Sequence, residues 1–399
     1  MSALIDALYA QADEFIAIRR DIHSEPELGF EEFRTSDLVA EKLTGWGYAV
    51  ERGIGGTGLV AQLKRGDGKL RVGLRADMDA LPIVEANSFG YSSRRTGVMH
   101  ACGHDGHTAI LLAAAHYLAK SGRFSGTVNL IFQPAEEGQG GAVRMIKEGL
   151  FDKYPCDAIF AMHNMPSMQQ GTFHLRDGAA MASSDEAIIT LHGNGGHGAF
   201  PHRTTDSIVA ASSIVMALQT IVSRNIDPLD TAVVTVGSLN SGVASNVIPA
   251  SAKLKLSIRA LNREVRETLE KRIRALVTAQ AESFNVRAEI EYNRNYAVLV
   301  NTKAETDFAA SVARDLVGAD RVTYPCVPLT GSEDFAFMLE KLPGCYLFIG
   351  NGDGTPGIDG KPTSACMVHN PGYDFNDANI GMGSAYWVAL VQRYLPLEA

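Results

Sequence analysis

The chain has 399 residues, of which 46% are hydrophobic and 20% are charged, and its formal net charge is −9. A chain of this length can form two domains with a large hydrophobic core, and its balance of residue types is ordinary for a globular enzyme. Because the acidic residues are interspersed with basic ones, the charge argues against nucleic acid or an anionic membrane as the main partner.

Cysteine use and the first residues indicate the compartment in which the protein works. The five cysteines are odd in number and widely scattered, which is no disulfide framework, so we expect a reducing compartment. Residues 1–20 lack a basic stretch followed by an apolar one, and no segment approaches the ~20 apolar residues that cross a bilayer. These features predict a cytoplasmic protein.

The first elements are predicted to be two helices followed by short strands. The spacing of apolar residues predicts helices over 3–24 and 35–46. Residues 53–58 formally match the G-x-G-x-x-G nucleotide motif, but a short strand and an expected hairpin turn at 65–68 follow them. Nucleotide binding needs a helix at that point, so we interpret 53–58 as a connection between strands.

Three apolar strands are predicted to lead into polar residues. They span 70–83, 127–132 and 157–162. Because helical segments lie between them, the sheet should be largely parallel, with the carboxyl ends of these strands along one edge. The polar residues at these ends are Asp77 and Asp79 in the first strand, Glu136 and Glu137 after the second, and His163 after the third.

The nine residues 99–107, M-H-A-C-G-H-D-G-H, hold three histidines, a cysteine and an aspartate just before a predicted apolar helix at 108–120. Thiolate and imidazole groups at short spacing suit a borderline-soft metal such as zinc. Two alternatives stay open for this stretch alone. Cys102 could be a thiol nucleophile with a nearby histidine base, or the stretch could be a polar loop around a buried cysteine.

From about residue 184 the predicted order becomes β-α-β-β-α-β, that of a ferredoxin-like unit, and a helix at 304–316 then resumes the first domain. The sequence therefore predicts an α/β catalytic domain, with a mixed, largely parallel sheet flanked by helices. A ferredoxin-like α+β lid or dimerisation domain is inserted into it. The expected bounds are 1–183 and 297–399 for the catalytic domain and 184–296 for the insertion.

Side chains scattered along the chain form a candidate metal centre. Two divalent metals ~3.5–4 Å apart need around five protein ligands and a shared water. Adjacent glutamates after a strand permit a division of labour, in which one carboxylate binds metal while the other takes a proton from water. The candidates are Cys102, His104, Glu136, Glu137, His163 and His369.

Eight short motifs spread over the whole chain resemble, in order, the aminoacylase/hippurate hydrolase group of metallopeptidases. That group includes plant hydrolases of auxin–amino acid conjugates and bacterial N-acyl-amino-acid amidohydrolases. The motifs are R-A-D-M-D-A-L-P (75–82), M-H-A-C-G-H-D-G-H (99–107), Q-P-A-E-E-G (133–138), M-H-N (162–164), G-G-H-G-A-F-P-H (195–202), S-N-V-I-P (245–249), G-S-E-D-F (331–335) and H-N-P (369–371).

The resemblance implies a metal site with two divalent ions per subunit, for which zinc, manganese, nickel and cobalt all stay open. Glu136 would be the general base that activates the attacking water and later protonates the leaving amine. Related enzymes outside the group have aspartate where Cys102 stands, so a thiolate is expected to contribute here. The implied metal ligands are Cys102, His104, Glu137, His163 and His369.

The resemblance also implies supporting residues around the metals. The wider superfamily has a histidine at the position of Asp77, so Asp77 and Asp79 are expected to orient ligand histidines. The remaining histidines are predicted to be structural. His100 and His107 should form local hydrogen bonds, and His116 should pack within its helix, whereas His23 has no supporting context.

Residues of the insertion and of 331–332 are expected to contact the substrate. By resemblance, His197 would stabilise the oxyanion in the neighbouring subunit, which implies a homodimer or dimer-based oligomer through the insertion. Asn246 and Arg259 match positions that hold the substrate carboxylate, although Arg259 could equally pair with a glutamate of the following helix. Gly331 and Ser332 could add hydrogen-bond donors.

The predicted function is metal-dependent hydrolysis of an N-acyl amino acid, hippurate-like or N-acetylated, to a carboxylic acid and a free amino acid. A dipeptidase or an N-acetyl-diaminopimelate deacetylase on the same scaffold is the alternative enzyme. A catalytically silent protein that binds N-acyl amino acids belongs to a different class, and the presence of Glu136 argues against it. A thiol hydrolase that uses Cys102 is the third class.

Overall fold

A computed structural model of the chain describes residues 3–358 and 360–397, which form two units. The larger unit comprises the chain up to Gly178, the stretch Val300–Val327 and the chain from Asp334 onward. The smaller unit comprises Ala179–Leu299 and the short stretch Pro328–Glu333. The smaller unit is therefore inserted into the larger one.

The described residues form helices and strands along most of their length. The helices are α1 (Ala3–Ala10), α2 (Ala12–Ser24), α3 (Phe33–Gly45), α4 (His104–Ser121), α5 (Gly141–Lys147), α6 (Leu150–Lys153), α7 (Ser207–Asn225), α8 (Arg263–Ser283), α9 (Lys303–Val317), α10 (Ala336–Leu339) and α11 (Ala378–Tyr394). The strands are β1 (Ala49–Arg52), β2 (Leu59–Arg65), β3 (Arg71–Asp77), β4 (Gly126–Gln133), β5 (Ala158–Pro166), β6 (Phe173–His174), β7 (Gly178–Met181), β8 (Ser183–His192), β9 (Gly196–His197), β10 (Ala232–Ser241), β11 (Val247–Ile248), β12 (Ser251–Ala260), β13 (Arg287–Tyr296), β14 (Leu299–Asn301), β15 (Val322–Thr323) and β16 (Gly344–Gly352).

The larger unit is built on an eight-stranded sheet with the order β1-β2-β4-β3-β5-β16-β6-β15. Strand β3 runs parallel to β4 and β5, and β16 runs parallel to β5. Every residue of β4, β5 and β16 is buried, as expected of central strands that are covered on both faces. The predicted mixed, largely parallel sheet is confirmed.

Helix α4 is the central helix of this unit and packs against α2 and α11. It is buried along almost its whole length, and its run of alanines, 113–115, allows the neighbouring helices to approach closely. The helix begins at His104, four residues before the predicted start at 108, so the last part of the histidine-rich motif is helical.

The smaller unit has a four-stranded antiparallel sheet with the order β10-β12-β8-β13. Helices α7 and α8 connect its strands in the order β-α-β-β-α-β, which confirms the predicted ferredoxin-like arrangement. Both helices have a side-chain cap at the N-terminus. Asp206 accepts from the amides of Ile208 and Val209 in α7, and Asn262 accepts from the Glu264 amide in α8.

Helix α7 alone, among the described residues, has the length and hydropathy of a membrane-spanning segment, contrary to the sequence expectation that no segment does. One third of that stretch is buried, because Ala210, Ile214 and Leu218 belong to the core of the smaller unit. Three large apolar side chains of α7, those of Ile208, Val209 and Met216, are exposed.

Two predictions about local structure are wrong. The helix expected over 3–24 is two helices, α1 and α2, separated at Gln11. The turn at 65–68 does not form a hairpin, because β2 and β3 both pair with β4, which lies between them. The Gly68 amide donates to the Ser125 hydroxyl at 2.9 Å, so the turn closes over the segment that enters β4.

Candidate metal centre

The candidate site lies where three neighbouring strands of the large sheet, in the order β4-β3-β5, reach their carboxyl ends. Asp77 ends β3, Glu136 and Glu137 follow β4, and His163 lies within the last part of β5. Because these strands are parallel, their carboxyl ends meet at one edge of the sheet, where ligands of open α/β sheets usually bind.

The six candidate ligands are brought together at this edge. The Sγ atom of Cys102 lies 3.3 Å from His163 Nε2, and His369 Nε2 lies 3.1 Å from Glu137 Oε1. Three overlapping groups, each with its potential ligand atoms within 4.8 Å of one another, connect the whole set. These groups are Cys102–His104–His163, Cys102–Glu137–His369 and His104–Glu136–Glu137.

His104 and His163 each use Nδ1 for a hydrogen bond outside the ligand set, which leaves Nε2 to the cluster, where that of His163 contacts Cys102. The Nδ1 atom of His163 lies 2.5 Å from the carbonyl oxygen of Asn164, which can only accept, so Nδ1 carries the proton. The Nδ1 atom of His104 lies 3.2 Å from Asp79, and its Nε2 atom is buried without a hydrogen-bond partner among the described residues. A buried imidazole nitrogen in this state is suited to bind a metal ion.

His107 is held differently, although it also lies beside the cluster. Its Nδ1 atom is 2.6 Å from Asp77, and its Nε2 atom accepts from the Asn164 amide at 2.9 Å. Both ring nitrogens are therefore engaged, as expected for a local hydrogen-bonding role. The prediction that His100 forms local hydrogen bonds is wrong. Neither of its ring nitrogens has a hydrogen-bond partner in the part of the chain that the structure describes.

The electrostatics of the cluster favour a bound cation. Burial lowers the pKa of His104, but the carboxylates of Asp77 and Asp79 outweigh burial and raise this pKa to about 10. The surroundings thus stabilise positive charge at this point. Cys102, Glu136 and Glu137 add up to three negative charges in a largely buried site, and this donor set fits divalent metal ions.

The shifted pKa values of Cys102 and His163 disfavour the thiol-nucleophile alternative. Burial, and then the carboxylates of Glu137 and Glu136, raise the pKa of Cys102 well above its ordinary value. Burial and the neighbouring His107 lower the pKa of His163 well below the usual range. An activated thiol needs the opposite shift, toward a thiolate stabilised by positive charge.

Gly103 is required by the geometry of the motif that carries Cys102 and His104. Its backbone is left-handed, with φ +91°, and a Cβ atom there would lie 2.3 Å from Asn164 Nδ2 and 2.4 Å from the Tyr373 hydroxyl. Asn164 and Tyr373 hydrogen-bond to each other at 2.6 Å, and Asn164 also donates to the carbonyl of Cys102. Both side chains therefore fix the loop that presents Cys102.

Sequence reasoning missed a buried ionic cluster behind the motif. Asp105 lies 2.8 Å from Arg19 Nε and 2.9 Å from His23 Nδ1, and all three side chains are fully buried. His23 Nε2 also lies 3.2 Å from Glu85. The available signal was the spacing of Arg19 and His23, which places both on one face of helix α2.

The predicted substrate-binding residues lie in the smaller unit. His197 is exposed on the short strand β9, opposite Val247 of β11, and Asn246 immediately precedes β11. Arg259 Nη1 donates to the Ser332 hydroxyl at 2.8 Å, so Arg259 and Ser332 come together although 73 positions separate them. Gly331 lies next to Ser332, and its carbonyl accepts from the Ala182 amide at 2.9 Å.

A family model and two curated relatives agree on the class of protein to which this chain is similar. Residues 73–393 match the model of peptidase family M20/M25/M40. The hippurate hydrolase of Campylobacter jejuni is 44% identical over 392 residues, which cover 98% of this chain and 99% of that protein. An N-acetyldiaminopimelate deacetylase of Exiguobacterium sibiricum is 37% identical, covering 87% of this chain and 93% of the relative.

A solved structure agrees in fold over the whole length. The YXEP protein of Bacillus subtilis, a dinuclear metal binding peptidase from the M20 family, superposes with a TM-score of 0.81 at 30% identity. The match covers 97% of this chain and 99% of that one. The fold and the site thus define a metal-dependent hydrolase. The chain belongs to peptidase family M20/M25/M40.

Proposed function

We propose that this chain is a metal-dependent amidohydrolase that cleaves N-acyl amino acids, hippurate-like conjugates first among them, to a carboxylic acid and a free amino acid. The observation that carries the proposal is the cluster of six donors at the sheet edge, in a chain 44% identical to a hippurate hydrolase over 98% of its length. Every donor expected from the sequence takes part in that cluster.

We propose two divalent ions per subunit as the cofactor, with zinc, manganese, nickel and cobalt as candidates. The connected ligand groups and the similarity to a dinuclear metal binding peptidase support this number. When bound, such ions polarise the acyl carbonyl and lower the pKa of water. The residues that would hold them are Cys102, His104, Glu137, His163 and His369.

Glu136 is proposed to move the proton. Glu136 is 6% exposed and its carboxylate groups with His104 and Glu137, so it lies beside the proposed ligands and is shielded from bulk solvent. It takes a proton from the attacking water as the new carbon–oxygen bond forms. It then gives that proton to the nitrogen of the amide as the carbon–nitrogen bond breaks, which releases the free amino acid.

The smaller unit is proposed to recognise the substrate. A His197 N–H would donate to the oxyanion of the tetrahedral intermediate, an interaction worth roughly 3–4 kcal/mol for comparable donors. Arg259 and Asn246 would hold the substrate carboxylate, with Gly331 and Ser332 beside them. Burial lowers the pKa of Arg259, yet a guanidinium stays charged near neutral pH and can bind a carboxylate with two parallel hydrogen bonds.

A homodimer through the smaller unit is proposed because apolar side chains are concentrated on its surface. These include Val209 and Met216 of α7, which are 48% and 71% exposed, and Leu239 of the edge strand β10. An exposed apolar helix face of this kind is typical of a contact between subunits. A cytoplasmic location is also proposed, supported by the five free cysteines.

A substrate panel tests the proposed function. The purified protein is stripped with a chelator, reloaded with manganese, zinc, cobalt or nickel, and assayed on hippurate, N-acetyl amino acids, N-acetyl-diaminopimelate and dipeptides. We expect metal-dependent release of the free amino acid from hippurate and related conjugates, and little turnover of hippuramide, which lacks the carboxylate. Turnover of dipeptides alone would contradict the proposal, as would tight binding of hippurate without hydrolysis.

The second candidate function, deacetylation of N-acetyl-diaminopimelate, is favoured by the 37% identity to a deacetylase of that name over 87% of this chain. It uses the same site and the same proton transfer, so only the specificity differs. A kcat/KM for N-acetyl-diaminopimelate far above that for hippurate would identify deacetylation as the function of this chain.

A further inference from the structure

The segment Glu27–Glu32, between helices α2 and α3, contacts two loops of the metal centre. We call it the bracket segment. The carbonyl of Glu27 accepts from the Ala80 amide at 2.8 Å, and Leu28 forms a parallel bridge with Ala80, next to Asp79. These contacts join the segment to the loop that carries Asp79.

Glu32 is the residue of the bracket segment that reaches the second loop. Its side chain is fully buried, and Oε1 accepts from the Ala135 amide at 2.8 Å. The other carboxylate oxygen accepts from the Thr57 hydroxyl. Within the described residues of α3, this carboxylate makes no capping hydrogen bond, although Glu32 is the N-cap residue of that helix. Its hydrogen bonds are therefore directed to the site loop and to Thr57.

Ala135 needs such support because its backbone is left-handed, with φ +52°. This conformation is uncommon for a residue with a Cβ atom and persists only where the surroundings hold it. Gly29 of the bracket segment makes room for it, since a Cβ atom at Gly29 would lie 3.0 Å from Ala135 Cβ. The next residue in the chain is Glu136, so the direction of the Glu136 side chain depends on this turn.

We propose that Glu32 is a positioning residue for Glu136. By accepting the Ala135 N–H it holds the left-handed turn that directs the Glu136 carboxylate toward His104 and Glu137. This inference rests on the proposed function, in which Glu136 moves the proton. A misplacement of about 1 Å at a reacting group can lower a rate by about 100-fold, so a small shift of the turn is sufficient to affect turnover.

Stability alone does not account for a carboxylate at this position. Burial raises the pKa of Glu32 to about 7, although the Thr57 hydroxyl and the Ala135 amide both act to lower it. A buried group that is difficult to ionise is an unfavourable choice where only packing is required. What the site requires of Glu32 is an oxygen atom placed to accept the Ala135 N–H.

Two substitutions test the inference, because one changes the length of the Glu32 side chain and the other removes its charge. Glu32→Asp keeps the charge but shortens the side chain by one methylene, and aspartate is a favourable N-cap residue, so this variant should fold. Glu32→Gln keeps both the length and an oxygen that accepts the Ala135 N–H. Glu31→Ala is the matched control, because Glu31 is exposed and adjacent in the chain. Each protein is assayed on hippurate for kcat and KM, with metal content and the exchange rate of the Ala135 amide measured in parallel.

We expect E32D to lose roughly 10- to 100-fold in kcat with KM within about twofold, unchanged metal content and faster exchange of the Ala135 amide. E32Q and E31A should keep near wild-type kcat. Wild-type kcat in E32D, whatever the exchange rate, would overturn the inference while leaving the proposed function in place, and so would loss of metal from E32D. A wild-type protein that hydrolyses no N-acyl amino acid would instead contradict the proposed function itself.

Discussion

Cys102 and His163 lie 3.3 Å apart, as a thiol nucleophile and its base would, but their environment opposes that role. Nearby carboxylates and burial stabilise the neutral thiol, and burial stabilises the neutral imidazole. A divalent cation reverses the first of these effects, because a coordinating thiol loses its proton outright. The same two side chains are therefore better suited to hold a cation than to attack a carbonyl.

Metal removal and alkylation should have opposite effects on activity. Because Cys102 is 7% exposed and its sulfur would be held by metal in the loaded protein, we expect iodoacetamide to leave the metal-loaded protein active. A chelator should abolish hydrolysis, and added metal should restore it. Hydrolysis of hippurate after each treatment is the measurement. Alkylation that inactivates the loaded protein, together with indifference to chelators, would establish the thiol mechanism instead.

If Glu136 is the general base, its substitution should lower turnover without lowering metal content. Glu136→Gln keeps the shape of the side chain but removes the carboxylate that accepts a proton, so hydrolysis should fall by 100-fold or more, at least the roughly 10²-fold contribution of a positioned base. Metal content, measured by elemental analysis, should stay the same. Glu137→Gln is the contrasting variant, because Glu137 is a proposed ligand and its substitution should lower metal content as well. Unchanged turnover in E136Q would show that Glu136 is not the general base.

At the residue scale, the sequence predicted the donors and the contact of Asp79 with His104, but not the supports that lie farther from the cluster. Cysteine, histidine and glutamate have few common uses at this spacing, so Cys102, His104 and Glu137 could be selected from residue type alone. Glu32 and His23 belong to common types and acquire their roles only from partners more than 50 positions away. The left-handed backbone of His369, with φ +62°, carries no signal in the sequence either.

Helices α2 and α4 are joined by the buried ionic cluster rather than by apolar contact alone. Arg19 and His23 of α2 face Asp105 in the first turn of α4, one residue after His104. Burial lowers the pKa of His23, but the hydrogen bond and charge of Asp105 outweigh burial and raise this pKa to about 9. Breaking a buried pair by removing one partner costs roughly 3–5 kcal/mol.

This cluster predicts a pH-dependent stability. The folded-state pKa of His23 is raised from 6.5 to about 9, so its contribution is full below pH 6.5 and is lost as the pH rises through about 9. The shift corresponds to about 3 kcal/mol. Urea unfolding of the chelator-treated protein should therefore show the gap between wild type and His23→Gln narrowing from pH 6.5 to 9.5.

A matched control is available for this prediction. His192 of β8 pairs with Glu289 at 3.3 Å, but its side chain is 38% exposed. His192→Gln should change the free energy of unfolding by less than about 1 kcal/mol over the same pH range. A gap between wild type and H23Q that stays constant with pH would show that His23 is neutral in the folded protein.

At the element scale, the pattern of strands ending in polar residues correctly predicted where the site forms. Parallel strands must place their carboxyl ends along one edge, so order and polarity were sufficient for β3, β4 and β5. The turn at 65–68 shows that the residues of a turn do not determine which strands pair. Its glycines suit a hairpin, but the strand that pairs with β2 is β4, which comes some 60 residues later in the chain.

Over the whole molecule, the candidate ligands and the proposed substrate contacts fall in different units. All six candidate ligands lie in the larger unit, whereas His197, Asn246 and Arg259 lie in the smaller one. The resemblance seen in the sequence implied this division, since it assigned His197 a role in the neighbouring subunit. Surface exposure cannot be predicted from composition, and the apolar face of α7 became evident only in the structure.

Mixed dimers test whether His197 acts on the partner's site. Glu136→Gln and His197→Ala are co-expressed with different tags, and the mixed dimer is isolated by two affinity steps. If His197 acts in trans, one of its two sites is complete, so it should have about half the wild-type rate although each parent variant is nearly inactive. An inactive mixed dimer would place His197 in its own subunit's site, and a protein that sediments as a monomer would contradict the dimer.

The insertion of the smaller unit has an evolutionary consequence. Mutations accumulating between Ala179 and Leu299 leave every candidate donor in place, because the donors are encoded before and after that stretch. Under the proposed function, descendants of one ancestral hydrolase would thus diverge in the substrates they accept while inheriting the same reaction. Because the smaller unit also includes Pro328–Glu333, an exchange of the whole proposed recognition unit between relatives would have to carry both segments.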